Sequence, residues 1–273
     1  MNIGIIGQGF VGNAVYQKFR NFFNVLTFDL NKSLCNSTFE IILEKCEIIF
    51  LCLPTPMNKD GSCYTGFIES ELKKINELTN ATVILKSTIP PNTTKYFTSK
   101  YQNISIYFNP EFLTEANAVN DFENQKRIII GGDPKKVSDV KNIFETAFPD
   151  AEVFITDSSV AEMVKYLTNV FLATKVSFAN EFFKLCGKLE IDYDHVIDLS
   201  IKDERLGKTH WMVPGPDGDY GFGGHCFPKD ISAILFLMKK FESIDNVTSS
   251  VVKTNNEVRK NRDWEEMKGR ATL

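Results

Sequence analysis

Gly7-Gln8-Gly9-Phe10-Val11-Gly12 decides how the first half of this chain folds. The hexad follows the apolar run Asn2-Ile3-Gly4-Ile5-Ile6 and opens a segment with helical spacing, so it reads as the turn between a first strand and a first helix. Each glycine has its own physical task. Gly7 permits the tight turn, Gly9 lets a pyrophosphate approach the backbone, and Gly12 lets helix and strand pack closely. The helix N-terminus, with Gln8, Phe10 and Val11 beside the glycines, supplies free N–H groups and a favourable dipole. Asp29 lies 22 residues after Gly7, at the end of the predicted second strand. Its carboxylate can accept both ribose hydroxyls and would repel a 2′-phosphate, which favours NAD over NADP.

Outward from the hexad, short apolar runs alternate with helical patterns. Strands are predicted at 2–6, 24–28, 47–53, 82–86, 104–108, 127–131 and 152–155, and helices at 10–22, 36–45, 66–79, 92–99 and 134–147. Such alternation predicts an α/β fold, a Rossmann-type doubly wound, mostly parallel sheet. From residue 157 the strand-like runs stop. A long helix is predicted over 160–187, with Met163, Tyr166, Leu167, Val170, Phe171, Thr174 and Phe178 at spacings of three and four. Helices at about 192–200, 228–241 and 245–268 follow. The expected organisation is a cofactor domain at 1–155 and an all-helical domain at 156–273. The stretch Val213–Gly224 interrupts the helices with two prolines and five glycines, and an irregular loop of that length is usually functional.

Composition narrows the partners. The 273 residues are 43% hydrophobic and 24% charged, as in a packed globular chain. With 31 basic and 35 acidic residues the net charge is −4, so there is no basic footprint for nucleic acid. The longest apolar run, Ile48–Leu53, is far short of the ~20 residues of a spanning helix, and no membrane partner is expected. Met1–Gly7 has no basic leader, so a signal peptide is not expected. The cysteines at 35, 46, 52, 63, 186 and 226 form no C-x-x-C pair and no zinc spacing. No metal is expected, and a reduced, cytoplasmic chain is the default.

Four further runs carry chemistry. Leu53-Pro54-Thr55-Pro56 and Lys86-Ser87-Thr88-Ile89-Pro90-Pro91 end the third and fourth strands, where parallel sheets meet their ligands. Either run also reads as a proline-rich strand stop. Asn109-Pro110-Glu111-Phe112-Leu113-Thr114-Glu115 ends the fifth strand and places two acids four apart. Lys165 and Asn169, i and i+4, share one helix face; such a pair in a cleft can stabilise and orient a developing alkoxide. The most informative run is Gly221-Phe222-Gly223-Gly224-His225-Cys226-Phe227-Pro228-Lys229-Asp230. Its glycines allow close ligand approach. Cys226 precedes a predicted helix with Pro228 near its first position, and a helix N-terminus and Lys229 both favour a thiolate. Asp230 can orient or accept a proton.

These runs, in this order, resemble the UDP-glucose/GDP-mannose dehydrogenase family over nearly the whole chain. Ala161-Glu162-Met163-Val164-Lys165-Tyr166, Phe171-Leu172-Ala173-Thr174-Lys175 and Asp203-Glu204-Arg205-Leu206-Gly207 add to the match. The resemblance implies a two-step, NAD-dependent oxidation of a nucleotide-sugar alcohol to a carboxylate. It implies roles for Cys226 as nucleophile, for Lys165, Asn169 and Asp230 around the alkoxide, and for Glu111 and Thr88 around a hydrolytic water. It implies cofactor contacts at Gly7, Gln8, Gly9, Phe10, Val11, Gly12, Asp29, Lys32, Pro54, Thr55, Ser87, Thr88, Glu115 and Lys229. Substrate contacts are implied at Glu111, Phe112, Leu113, Lys165, Asn169, Arg205, Tyr220, Phe222 and Gly223. Arg205 matches an arginine that reaches the neighbouring subunit's substrate, which implies a homodimer through the central helices. Family members continue into a further nucleotide-sugar-binding domain, which this sequence is expected to lack, ending around Trp264–Leu273. A one-step β-hydroxyacid-type dehydrogenase and an inactive NAD-binding module that needs a partner are the alternatives. A thiol in the glycine loop argues against the one-step reaction, which has no use for it.

Overall fold

The computed structural model describes residues 1–273, which form two compact units. Met1–Thr55 and Thr65–Lys165 make the first; Pro56–Tyr64 and Tyr166–Leu273 make the second. The change of unit falls inside a helix, later than a boundary drawn at 155, because the first turns of that helix pack with the sheet: Ala161 and Val164 join its core.

The first unit is a seven-stranded sheet in the order β2-β1-β3-β4-β5-β6-β7. Strands β1 (Asn2–Ile6), β2 (Asn24–Phe28), β3 (Ile48–Leu51), β4 (Thr82–Leu85) and β5 (Ser105–Phe108) are mutually parallel. β6 (Arg127–Gly131) meets β5 antiparallel at Phe108 and Gly131, and β7 (Glu152–Thr156) runs parallel to β6. Helices α1 (Phe10–Phe19), α2 (Phe39–Lys45), α3 (Gly66–Leu78), α4 (Thr93–Lys100), α5 (Ala118–Glu123) and α6 (Ser138–Ala147) accompany it. Strand β3 shows why the runs are continuously apolar. Ile49 and Leu51 enter one core with Ile42, Leu72, Val83 and Phe108, while Ile48 and Phe50 enter the other with Phe19, Ile84 and Phe144. A parallel strand with a core on each face needs apolar residues at every position. Two departures from expectation stand out. α5 has only six residues, too few to show a period, and the reversal at β6 leaves no mark on apolar spacing.

The second unit contains most of α7 (Ser158–Lys188), with α8 (Tyr193–Ser200), α9 (Phe227–Lys240) and α10 (Asn246–Val258). The last helix ends at Val258, not at 268. Arg259 turns extended and carries a buried guanidinium into the unit, so the charged run beyond it is irregular, with one short 3₁₀ turn at Asp263–Glu265. Met57 ties the detached segment 56–64 to the end of the chain: its N–H donates to the Ala271 carbonyl at 2.8 Å and its carbonyl accepts from Leu273 N–H at 3.0 Å. The apolar residues of α7 fall on two faces. Tyr166, Ala173, Ala179 and Cys186 are buried. Val160, Met163, Leu167, Phe171, Phe178, Phe182 and Leu185 form an exposed stripe, with Leu167 68% and Phe171 61% accessible. No helix is long and apolar enough to cross a membrane.

Candidate active site

The glycine turn separates what the protein needs from what a ligand needs. Gly7 has φ +94°, and a Cβ there would lie 2.4 Å from the Cys52 carbonyl oxygen. A Cβ on Gly12 would lie 1.9 Å from the Gly7 oxygen. Both must be glycine for the turn itself to pack. A Cβ on Gly9 would meet nothing within 4 Å, so that glycine leaves open space above the start of α1. Asp29 is fixed to the turn: one carboxylate oxygen accepts from Gln8 N–H at 2.6 Å and the other from Asn31 N–H at 2.8 Å. The Gln8 Nε2 group is buried without a protein partner. An orphaned donor, an open backbone approach and an anchored carboxylate fit the pyrophosphate and ribose of a dinucleotide. Phe10 and Val11 are half-buried at the start of α1, and Lys32 is exposed in a short 3₁₀ turn, Lys32–Leu34.

The carboxyl ends of β3, β4 and β5 carry the next groups. The Ser87 hydroxyl donates to the Leu53 carbonyl at 2.6 Å, and Thr55 Oγ1 donates to the Thr88 carbonyl at 2.8 Å; Thr88 is buried and Pro54 exposed. Glu111 and Lys165 form a buried ion pair of 2.9 Å. The second Glu111 oxygen accepts from Leu113 N–H at 2.8 Å. Burial by itself would raise the Glu111 carboxyl, but Lys165, the Leu113 N–H and Lys86 outweigh it and hold the group below the usual carboxylate range. The Phe112 ring lies under the Lys165 ammonium, 5.4 Å from its centroid. Glu115, by contrast, is exposed at the start of the 3₁₀ turn Glu115–Asn117.

In the second unit Asn169 and Asp230 meet: Asn169 Nδ2 donates to one Asp230 oxygen at 2.6 Å, and Lys229 Nζ donates to the other at 2.5 Å. Lys229 is raised above the ordinary lysine value: burial opposes its charge, and Asp230, Cys63 and Cys226 outweigh that cost. Cys226 occupies the N-cap position of α9, with Pro228 in the first turn. His225 beside it is buried. Phe222 is buried and Gly223 half-buried, while Tyr220 and Arg205 are exposed; Arg205 is held by Asp203.

Several polar groups escaped the sequence reading. Lys86 follows β4, where no local pattern marks it; it is buried, donates to Asn109 Oδ1 at 2.6 Å, and burial lowers it to about 8. Glu162 is fully buried and accepts from Asn92 N–H, Thr94 N–H and Thr94 Oγ1 at 2.6–2.8 Å, capping α4 from α7. Asn180, Asn255, Arg259 and Asp263 surround the glycine loop. No local signal singles these residues out, because α7 also buries Glu162, Lys165, Asn169, Lys175 and Ser177, and α10 also buries Thr248.

Comparison with known proteins places these groups in a family. The NAD binding domain of the UDP-glucose/GDP-mannose dehydrogenase family matches residues 30–148, and the central domain of the same family matches residues 159–257. UDP-glucose 6-dehydrogenase of Rickettsia bellii is 35% identical over 223 residues, covering 79% of this chain and 50% of the relative. The structure of a UDP-glucose dehydrogenase from Pyrobaculum islandicum superimposes with a TM-score of 0.84 at 26% identity, covering 94% of this chain and 68% of that one. A 3-hydroxyisobutyrate dehydrogenase from Mycobacterium tuberculosis shares the fold, with a TM-score of 0.74 at 15% identity over 94% of this chain and 92% of its own. The chain spans about half the length of the curated relatives it matches. With two successive domains of one family matched in order, and with that family's fold, the chain belongs to the UDP-glucose/GDP-mannose dehydrogenase family.

Proposed function

We propose that the chain binds NAD and a nucleotide sugar and oxidises the sugar's C6 hydroxyl to a carboxylate in two steps, UDP-glucose to UDP-glucuronate being the best-supported case. The observation that carries this reading is the hydrogen bond from Asn169 to Asp230. It links the polar face of α7, which also bears Lys165, to the first turn of the helix capped by Cys226. NAD, when bound against the Gly9 turn and Asp29, supplies the hydride acceptor. Lys165 and Asn169 stabilise the developing alkoxide, with Asp230 orienting Asn169 and holding the proton-accepting water. Cys226 attacks the resulting aldehyde to give a thiohemiacetal, whose oxidation leaves a thioester. Glu111, held anionic beside Lys165, then activates the water that releases the acid, with Thr88 positioning it.

Arg205, Tyr220, Phe222 and Gly223 contact the nucleotide sugar in this reading, Arg205 from a second copy of the chain. The exposed apolar stripe along α7 supports that homodimer: seven large apolar side chains on one face of a long helix call for a covering partner. Six cysteines, none of them in a disulfide, suit a reducing cytoplasm.

The test is NADH formation with UDP-glucose. Two NADH per sugar are expected, with Cys226→Ser abolishing the complete reaction while NAD still binds. One NADH per turnover would favour the one-step chemistry, and no turnover with any nucleotide sugar would overturn the reading.

A further inference from the structure

The loop before Cys226 is held almost entirely by side chains distant in sequence. Asn180 Oδ1 accepts from Gly221 N–H at 3.1 Å. Asn255 forms a two-way pair with Phe222, accepting its N–H at 2.7 Å and donating to its carbonyl at 3.0 Å. Asp263 Oδ2 accepts from Gly224 N–H at 3.0 Å. Beneath these contacts lies the Arg259 guanidinium, 4% exposed as a residue, with every nitrogen engaged. Nε donates to the Asn261 carbonyl at 2.7 Å, Nη1 pairs with Asp217 at 2.9 Å and reaches the Tyr220 carbonyl at 3.5 Å, and Nη2 pairs with Asp263 at 3.1 Å. The guanidinium fills the space beside Gly223, where a Cβ would lie 2.2 Å from Nη2.

We propose that Arg259 is a positioning residue for both parts of this loop. Through Asp217 it fixes the stretch Pro214–Tyr220 as a rigid wall. Through Asp263 it fixes Gly224, two residues before Cys226. Only a planar fork with several donors can serve two carboxylates and two carbonyls from one buried point. Asp219 reinforces the wall: its carbonyl accepts from Gly215 N–H at 2.8 Å and its carboxylate from Asn261 N–H at 3.4 Å. The consequence for catalysis rests on the proposed function; the consequence for the loop does not.

Three variants of the full chain test the proposal. In Arg259→Met, chymotrypsin is expected to cut at Tyr220 or Phe222 about tenfold faster than in the parent, while the remainder keeps a cooperative melt. With UDP-glucose and NAD, Arg259→Met is expected to raise KM and lower kcat together, each by about tenfold, as the loop and Cys226 both shift. Asp217→Asn releases only the wall, so KM rises by about threefold and kcat stays within about twofold. Arg259→Lys keeps the charge and loses the fork, and falls between parent and Arg259→Met on every measure. Parent-like cleavage in Arg259→Met overturns the proposal. So does a fall in kcat at constant KM, which signals a smaller folded fraction and no loop effect. If Arg259→Met loses its cooperative melt, Arg259→Lys decides: parent-like loop cleavage in that variant overturns the proposal. A parent that binds NAD but leaves every nucleotide sugar unoxidised sinks the activity reading alone, and the cleavage measurements still judge Arg259.

Discussion

The charged groups at the sheet ends and the glycine loop before Cys226 are held in place by opposite strategies. At the sheet ends, a buried carboxylate meets a buried ammonium: Glu111 pairs with Lys165, and their elements, the end of β5 and the first turns of α7, are fixed by the apolar cores on either side. In the loop, the backbone itself is the cargo, and it is held by amides, Asn180 on α7 and Asn255 on α10, together with Arg259 and its two carboxylates. A loop with four glycines between 218 and 224 buries little besides the Phe222 ring, so its peptide groups must find partners elsewhere. The first arrangement keeps ionised groups ready for proton transfer. The second gives a backbone of glycines one conformation without filling the space a substrate would use.

Breaking each arrangement separately has effects of different size. The largest belongs to Glu111→Gln, which removes the carboxylate from the buried ion pair with Lys165; a loss of about 3–5 kcal/mol is expected from urea unfolding. An unchanged midpoint would mean that water already compensates the ammonium. Next in size is a pH effect at Glu162, the other buried carboxylate of the first unit. Burial pushes it up to about 7, against the hydrogen bonds from Thr94 and Asn92. The folded chain therefore binds this proton more tightly than the unfolded chain, and stability falls as pH rises from 4.5, the ordinary value, to about 7. The shift corresponds to a change on the order of 3 kcal/mol, and the parent should show that slope in excess of Glu162→Gln. Equal slopes in the two proteins would place the carboxyl at its ordinary value. The smallest is Asn255→Ala, which orphans the Phe222 N–H and carbonyl for about 2 kcal/mol. Amide exchange should accelerate at Phe222 and leave the sheet strands untouched; uniform acceleration would show the loop to be no separate element.

The same contrast explains what the sequence makes legible. All seven strands are found within two or three residues of their expected positions; the inner ones, such as β3 and β4, have a core on each face and leave unbroken apolar runs. Cys226 at a helix N-cap follows from its glycines and Pro228. Sequence alone does not separate the exposed stripe of α7 from its buried face, since spacings of three and four describe any apolar stripe and do not say which side is covered. The end of α10 is misread because mixed charges continue a helical composition past Arg259, whose burial is a tertiary demand. Asn180, Asn255, Arg259 and Asp263 come together only in three dimensions, and no local pattern marks them as one device.

The tie between Met57 and residues 271–273 bears on how the chain acquires its structure. On a ribosome, Pro56–Tyr64 emerges early, between two pieces of the sheet, and waits for residues 271–273 before these partners exist. Contacts of such high sequence separation carry a large loop-closure cost and tend to form late. The sheet can be complete and protected while the bridge from Met57 to Thr272 is still unmade. The order of synthesis thus makes the bonds between Met57 and residues 271–273 a late step in the second unit's assembly.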